Sequence, residues 1–371
     1  MNRSIFSRES LLSGTSILIY LALFTLLLHL YTNAIGGYGY FRDELYYIAC
    51  SEHLAFGYVD QPPLSIYILA INRWLFGDSI FALRLLPAIA AAFTVFLTGL
   101  MVRQLGGGRF AQALGAIAVI AAPIQWGYSA IFSMNCIDVL LWAVGAYVTI
   151  LLLKRDDPRL FVPLGVIIGL GALNKISMLW FGFALFLGLL LTPSRKYFRT
   201  KWPWIAGIIG FLFFLPFIAW NMSNNWAHLE FIHNASSLKY GGLTYIDFLI
   251  GQVQLQNPLS LPLWLAGLFF YLFSRHAKPF RLMGIIYIIA FLILFLNRTS
   301  KAEYLSSAYP MLFAAGGLSI ERFVQRLRWR WLGPVYLGIL GITGIIAVPF
   351  ALPILPVETY IHYSNLMGVR P

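Results

Sequence analysis

Long apolar runs dominate this sequence and decide what it can fold into. A helix needs roughly 20 mostly apolar residues to cross a hydrocarbon core about 30 Å thick. Stretches near 12–33, 80–102, 110–126, 131–153, 160–174, 176–192, 203–220, 259–274, 280–296, 304–320 and 332–352 meet or approach that length, about eleven in all, with 110–126 and 160–174 the shortest. Backbone amides in lipid must be satisfied within the chain, so such runs become helices. The expectation is an all-α polytopic membrane protein in which residues 1–371 form a single transmembrane domain, with no soluble domain at the C-terminus. Composition agrees: 60% of the 371 residues are hydrophobic and 11% are charged, against roughly 25% charged in a soluble domain. An ordinary water-soluble enzyme is excluded, and two cysteines are too few for a disulfide-stapled secreted module. Arg3 and Arg8 precede the first run as in a signal peptide. That run is longer than a signal core and no small-residue cleavage site follows, so it reads as a retained anchor.

The net charge of +12 belongs to basic loops on one face of a membrane and needs no nucleic-acid partner. With the N-terminus cytoplasmic, Arg103, Arg109, Lys154, Arg155, Arg159, Arg195, Lys196, Arg199 and Lys201 all fall inside. Asp43, Glu44, Glu52, Asp60, Asp78, Glu230, Asp247 and Glu303 fall outside. The two long outer segments are 34–79 and 221–258. Within the first, 43–56 and 64–76 look helical but too polar or too short to cross, which suits helices lying at the interface.

Ionisable residues inside spans are costly and mark function by default. Arg84, Asp138 and Lys175 all lie toward the outer ends of their runs. The densest signal is Tyr40-Phe41-Arg42-Asp43-Glu44-Leu45-Tyr46-Tyr47, followed by Asp60-Gln61-Pro62-Pro63. Adjacent acids on a helix point in different directions, so one can serve as a base while the other holds a substrate. Asp60 is rigid, because the first proline biases Gln61 to an extended conformation and both prolines fix their own φ. The bland alternatives are a helix N-cap for Asp43 and a solvated turn for Asp60. Asn297-Arg298-Thr299-Ser300-Lys301-Ala302-Glu303-Tyr304 sets two cations on the acid-rich side, suited to a phosphate or to lipid headgroups. Lys175 admits the same phosphate reading, with snorkelling as its alternative. His228, Glu230 and His233 are metal-ligand types without the spacing of a tight zinc motif. No cofactor is called for, and a divalent metal has no tight motif behind it.

These segments, with Phe76-Gly77-Asp78-Ser79, Arg84-Leu85-Leu86-Pro87, Phe132-Ser133-Met134-Asn135, Asp138, Trp142, Leu173-Asn174-Lys175, Pro216 to Trp220 and Lys301 to Pro310, resemble the bacterial dolichyl-phosphate-mannose-protein mannosyltransferase-like proteins. That group belongs to the GT-C membrane glycosyltransferases and includes the aminoarabinose transferases that modify lipid A. The resemblance runs over about residues 38–320. It implies a GT-C fold in a bacterial inner membrane, with the active site facing the periplasm or exterior. There a sugar would pass, with inversion, from a polyprenyl-phosphate donor to a lipid, glycan or protein acceptor of the cell envelope. It implies Asp43 as catalytic base and Glu44 as its catalytic companion. Substrate contacts would fall to Arg42, Tyr46, Asp60, Gln61, Arg84, Asn135, Asp138, Lys175, Arg298, Lys301 and Tyr304. The aminoarabinose transferases carry Lys where this chain has Gln61. Many relatives continue into a soluble outer domain, whereas this sequence stops at Pro371.

A competing class is a carrier or flippase for phosphorylated lipids, which would distribute polar groups through the membrane depth. Neither midplane charge nor an internal repeat is found.

Overall fold

The computed structural model describes residues 14–239 and 241–368, and within them the chain is helical with no strand. Six helices are long and apolar enough to span a membrane: Gly14–Ile35, Ile80–Leu105, Met134–Arg155, Trp202–Ser223, Arg275–Leu296 and Leu332–Phe350. Two bent pairs raise the number to eight. Arg109–Ala121 meets Pro123–Ser129 at 64°, and Ser177–Leu191 meets Pro193–Arg199 at 104°.

By length and apolarity six to eight candidate spans stand among the described residues, against the eleven runs expected. Helices do occupy the other three runs, but Phe161–Asn174 has 14 residues and Leu261–Phe273 has 13. At 1.5 Å per residue these reach only about 20 Å. Tyr309–Arg326 ends in a charged turn with Glu321, Arg322 and Arg326. The breaks have local causes. Ala122 is extended (ψ 114°) ahead of Pro123, as a residue before proline prefers. Lys175 is extended (ψ 135°) and separates Phe161–Asn174 from Ser177–Leu191.

The lipid-facing surface follows from the same apolarity. Leu23, Phe24 and Leu27 on Gly14–Ile35 are exposed, as are Ile208, Phe211 and Leu212 on Trp202–Ser223. A continuous apolar face of this size is untenable in water and ordinary in a bilayer. At the centre, Tyr309, Leu312 and Phe313 are fully buried. Small residues let backbones meet there: a Cβ on Gly316 would fall 2.1 Å from the Leu263 carbonyl oxygen. Glu321 is buried yet satisfied. It accepts from the backbone N–H of Gly108 (2.7 Å) and of Ala111 (3.1 Å), capping helix Arg109–Ala121 from a distant part of the chain.

Candidate functional site

The first long segment folds into two short helices, Arg42–Glu52 and Leu64–Phe76, around a small core of Tyr47, Cys50, Tyr58, Ile66, Leu69, Leu83 and Phe132. Arg73 clamps their outer edge, donating to Glu52 (3.0 Å), Ser51 (2.6 Å) and Asp78.

Glu44 is the hinge pin of this module. Its carboxylate reaches back to the N–H of Phe41, which opens the helix, at 2.8 Å. The Arg84 guanidinium donates to both oxygens, at 2.9 and 2.7 Å, and the Phe132 N–H donates at 2.9 Å. Glu44 is fully buried and Arg84 nearly so. A buried carboxylate demands this degree of pairing. With four donors in place, Glu44 and Arg84 act on each other and on the loop.

Asp43 turns the other way. Half of its side chain is exposed, and Arg42 Nε lies 3.1 Å from it. The N-cap position belongs to Phe41, so Asp43 is not the cap that the bland reading assigned. Tyr46, one turn further on, donates to Asp60 Oδ1 at 2.7 Å. Burial pushes the Asp60 carboxyl above its ordinary value, the Tyr46 bond and nearby His228 oppose this, and the charge of Asp43 adds to it. Asp43, Tyr46 and Asp60 therefore share one electrostatic neighbourhood. Gln61 is buried, and neither polar atom of its amide meets a hydrogen-bond partner.

A second cluster stands where three helix ends meet. Asp138 accepts from Ser177 and, at 2.6 Å, from Ser307. Lys175 Nζ donates to Asn135 Oδ1 at 2.7 Å and sits 3.9 Å from Asp138. The rings of Tyr304 (5.4 Å) and Tyr128 (6.0 Å) flank it, which favours a cation. Lys301 pairs with Glu303 at 3.2 Å, and Arg298 is exposed in the adjoining turn.

Phe132-Ser133-Met134-Asn135 joins the two clusters. Phe132 N–H goes to Glu44 and Met134 N–H to the Tyr47 hydroxyl (3.1 Å). On its other side Met134 O accepts from Asn174, and Asn135 accepts from Lys175. A slip in this strip would move the acidic loop and the buried lysine together.

His228 lies away from any metal cluster. Its Nδ1 contacts the Val59 carbonyl at 3.0 Å, and burial holds the ring below its ordinary pKa. Glu230 and His233 are exposed on the next turns. Among the described residues no three His, Cys, Asp or Glu side chains gather as a metal site, so the three are not brought together. Sequence reasoning gave no site role to Tyr47, Ser177, Ser307 or Arg73. Tyr47, Ser177 and Ser307 are ordinary residue types whose partners lie at least 39 residues away.

Residues 60–220 match the family described as dolichyl-phosphate-mannose-protein mannosyltransferase. The match covers less than half of the 371 residues. Among curated proteins, the chain is 26% identical over 140 residues to an undecaprenyl phosphate-alpha-4-amino-4-deoxy-L-arabinose arabinosyl transferase of Pseudomonas fluorescens, covering 36% of this chain and 25% of that protein. It is 24% identical over 182 residues to a polyprenol-phosphate-mannose–protein mannosyltransferase of Mycolicibacterium smegmatis, covering 41% of this chain and 34% of the relative. These matches thus span about a quarter to a third of the relatives' own lengths. The fold is similar over 93% of the chain to ArnT from Cupriavidus metallidurans bound to undecaprenyl phosphate, with TM-score 0.69, 17% identity and 67% of that structure covered. It also resembles the apo oligosaccharyltransferase of Archaeoglobus fulgidus, with TM-score 0.63, 14% identity, and 99% of this chain and 57% of that one covered. The polytopic helical fold expected from the sequence is thus one that these solved structures share.

Proposed function

We propose that this chain moves a sugar from a polyprenyl-phosphate donor to an acceptor hydroxyl at the membrane face that carries the 34–79 loop. The observation that carries the reading is the pairing of a free-facing acid with a buried cation through one strip. Asp43 stands on a loop locked by Glu44 and Arg84, and Phe132–Asn135 ties that loop to Lys175. The named substrates of the two curated relatives, both on polyprenyl phosphates, agree with it.

In this reaction the acceptor oxygen attacks the anomeric carbon and gives its proton to Asp43. The bond from that carbon to the phosphate oxygen breaks, and the polyprenyl phosphate leaves with the electron pair. A single displacement of this kind inverts the anomeric configuration. Lys175, held among Asn135, Asp138 and two tyrosine rings, stabilises the departing charge. Asp60, steadied by Tyr46, orients the acceptor or the sugar. Glu44 and Arg84 are positioning residues. All eleven apolar helices thread a bacterial inner membrane with the loop outside, the short ones completing their crossing beside longer neighbours.

The test is an in vitro transfer assay on the purified chain with a panel of polyprenyl-phosphate sugars and candidate lipid, glycan and protein acceptors. Transfer from at least one donor, with the opposite anomer in the product, is expected. Hydrolysis or transbilayer movement of the donor without transfer would favour a carrier.

A further inference from the structure

Two cavities lie at the far end of the bundle from the acidic loop. Helix Ser177–Leu191 starts beside Asp138 and, at 15 residues, descends about 22 Å. Its continuation, the 3-10 segment Pro193–Arg199, turns 104° and runs across the base. Two cavities meet there and share Phe186, Phe198 and Trp204. The first, about 620 Å³, is apolar throughout and lies between Phe161–Asn174, Ser177–Leu191 and Trp202–Ser223. The second, about 530 Å³, opens at the base and carries Arg195, Lys196 and Arg199 on its wall.

The charges at the mouth are unequal. Lys196 is spoken for by Asp156 at 2.6 Å, itself held by the Tyr197 hydroxyl. Arg195 and Arg199 are exposed, and among the described residues neither meets a carboxylate. Two uncompensated guanidinium groups therefore sit over an apolar slot. Between Phe161 and Ala172, both on its wall, the slot is about 16 Å deep at 1.5 Å per residue. That is close to half of a hydrocarbon core of about 30 Å, the reach of one leaflet's acyl chain.

We infer that this compound groove binds an anionic glycerophospholipid of the leaflet opposite the 34–79 loop, phosphate on Arg195 and Arg199 and an acyl chain in the slot. A free phosphate would leave the apolar slot unfilled, and a zwitterionic headgroup would leave the guanidinium charges uncompensated. The donor's isoprenoid tail would enter from the opposite end, where Lys175 and not Arg195 offers the charge. At Gly207 a Cβ would meet nothing within 4 Å, so the wall is open there.

The experiment is native mass spectrometry of the delipidated full chain, titrated with dioleoylphosphatidylglycerol, dioleoylphosphatidylcholine or undecaprenyl phosphate. The unaltered chain should retain phosphatidylglycerol in preference to phosphatidylcholine. In R195A/R199A that preference should fall by about thirtyfold, as expected for two interfacial cations, and R195K/R199K should keep most of it. G207L, which fills the slot from a helix position, should lower retention of both glycerophospholipids. Equal retention of the two by the unaltered chain would overturn the inference. So would an unchanged preference in a well-folded R195A/R199A, or displacement of phosphatidylglycerol from this groove by undecaprenyl phosphate regardless of those arginines.

Discussion

Arg84 and Glu44, 40 residues apart in sequence, form a two-bond ion pair (2.9 and 2.7 Å) sealed from solvent at the base of the acidic loop. Their neighbours Asp43 and Arg42 are solvent-facing. The two adjacent acids thus divide between holding the loop and facing outward.

Glu44→Gln removes one charge and leaves the Arg84 guanidinium buried without its counter-ion. Breaking a buried pair in this way costs roughly 3–5 kcal/mol. A clear drop in thermal midpoint in detergent is expected, together with loss of transfer. Replacing both residues, as in E44Q/R84M, should restore part of the stability and none of the loop geometry. A midpoint unchanged in E44Q would show that the pair does not hold the loop.

Tyr46→Phe tests the tuning of Asp60. Burial raises this carboxyl and the Tyr46 hydrogen bond lowers it. Without the bond, the ionised form loses support and the pKa climbs further. If Asp60 works as a carboxylate, the acidic limb of the rate profile moves to higher pH, with activity preserved on the alkaline side. A limb that stays in place, or moves to lower pH, would separate Asp60 from the pH-dependent step.

Lys175→Ala should weaken the donor more than the acceptor. A hydrogen bond between charged groups contributes roughly 1.5–3 kcal/mol, so donor affinity should fall about tenfold or more. Arg298→Ala and Lys301→Ala, outside the Asn135–Asp138 cluster, should have smaller effects. Binding of a polyprenyl phosphate measured on all three variants ranks them.

Much of this was legible in the sequence, and the failures have physical causes. Apolar runs foretold helices at all eleven positions, because period and apolarity are local properties. Which of them qualify as spans depends on breaks such as Ala122-Pro123 and Lys175 and on the length actually wound. The adjacent acids at 43 and 44 were visible as a motif. The inward role of Glu44 was not, because Arg84 and the Phe132 N–H lie 40 and 88 residues away. Lys175 and Asp138 were singled out by their cost in an apolar setting, and they stand 3.9 Å apart. The serines that satisfy Asp138 carry no such signal. His228, Glu230 and His233 misled because residue type suggests a metal site, while the fold aims His228 at a backbone carbonyl and leaves the other two outside.

The most direct test of the proposed chemistry is the turnover of Asp43→Asn, which keeps the side-chain shape and removes the proton acceptor. General-base catalysis is worth about 10²–10⁴-fold, so transfer should fall by that factor while donor binding and thermal midpoint stay near those of the unaltered chain. A folded, donor-binding Asp43→Asn protein that transfers sugar at near-normal rate would contradict it.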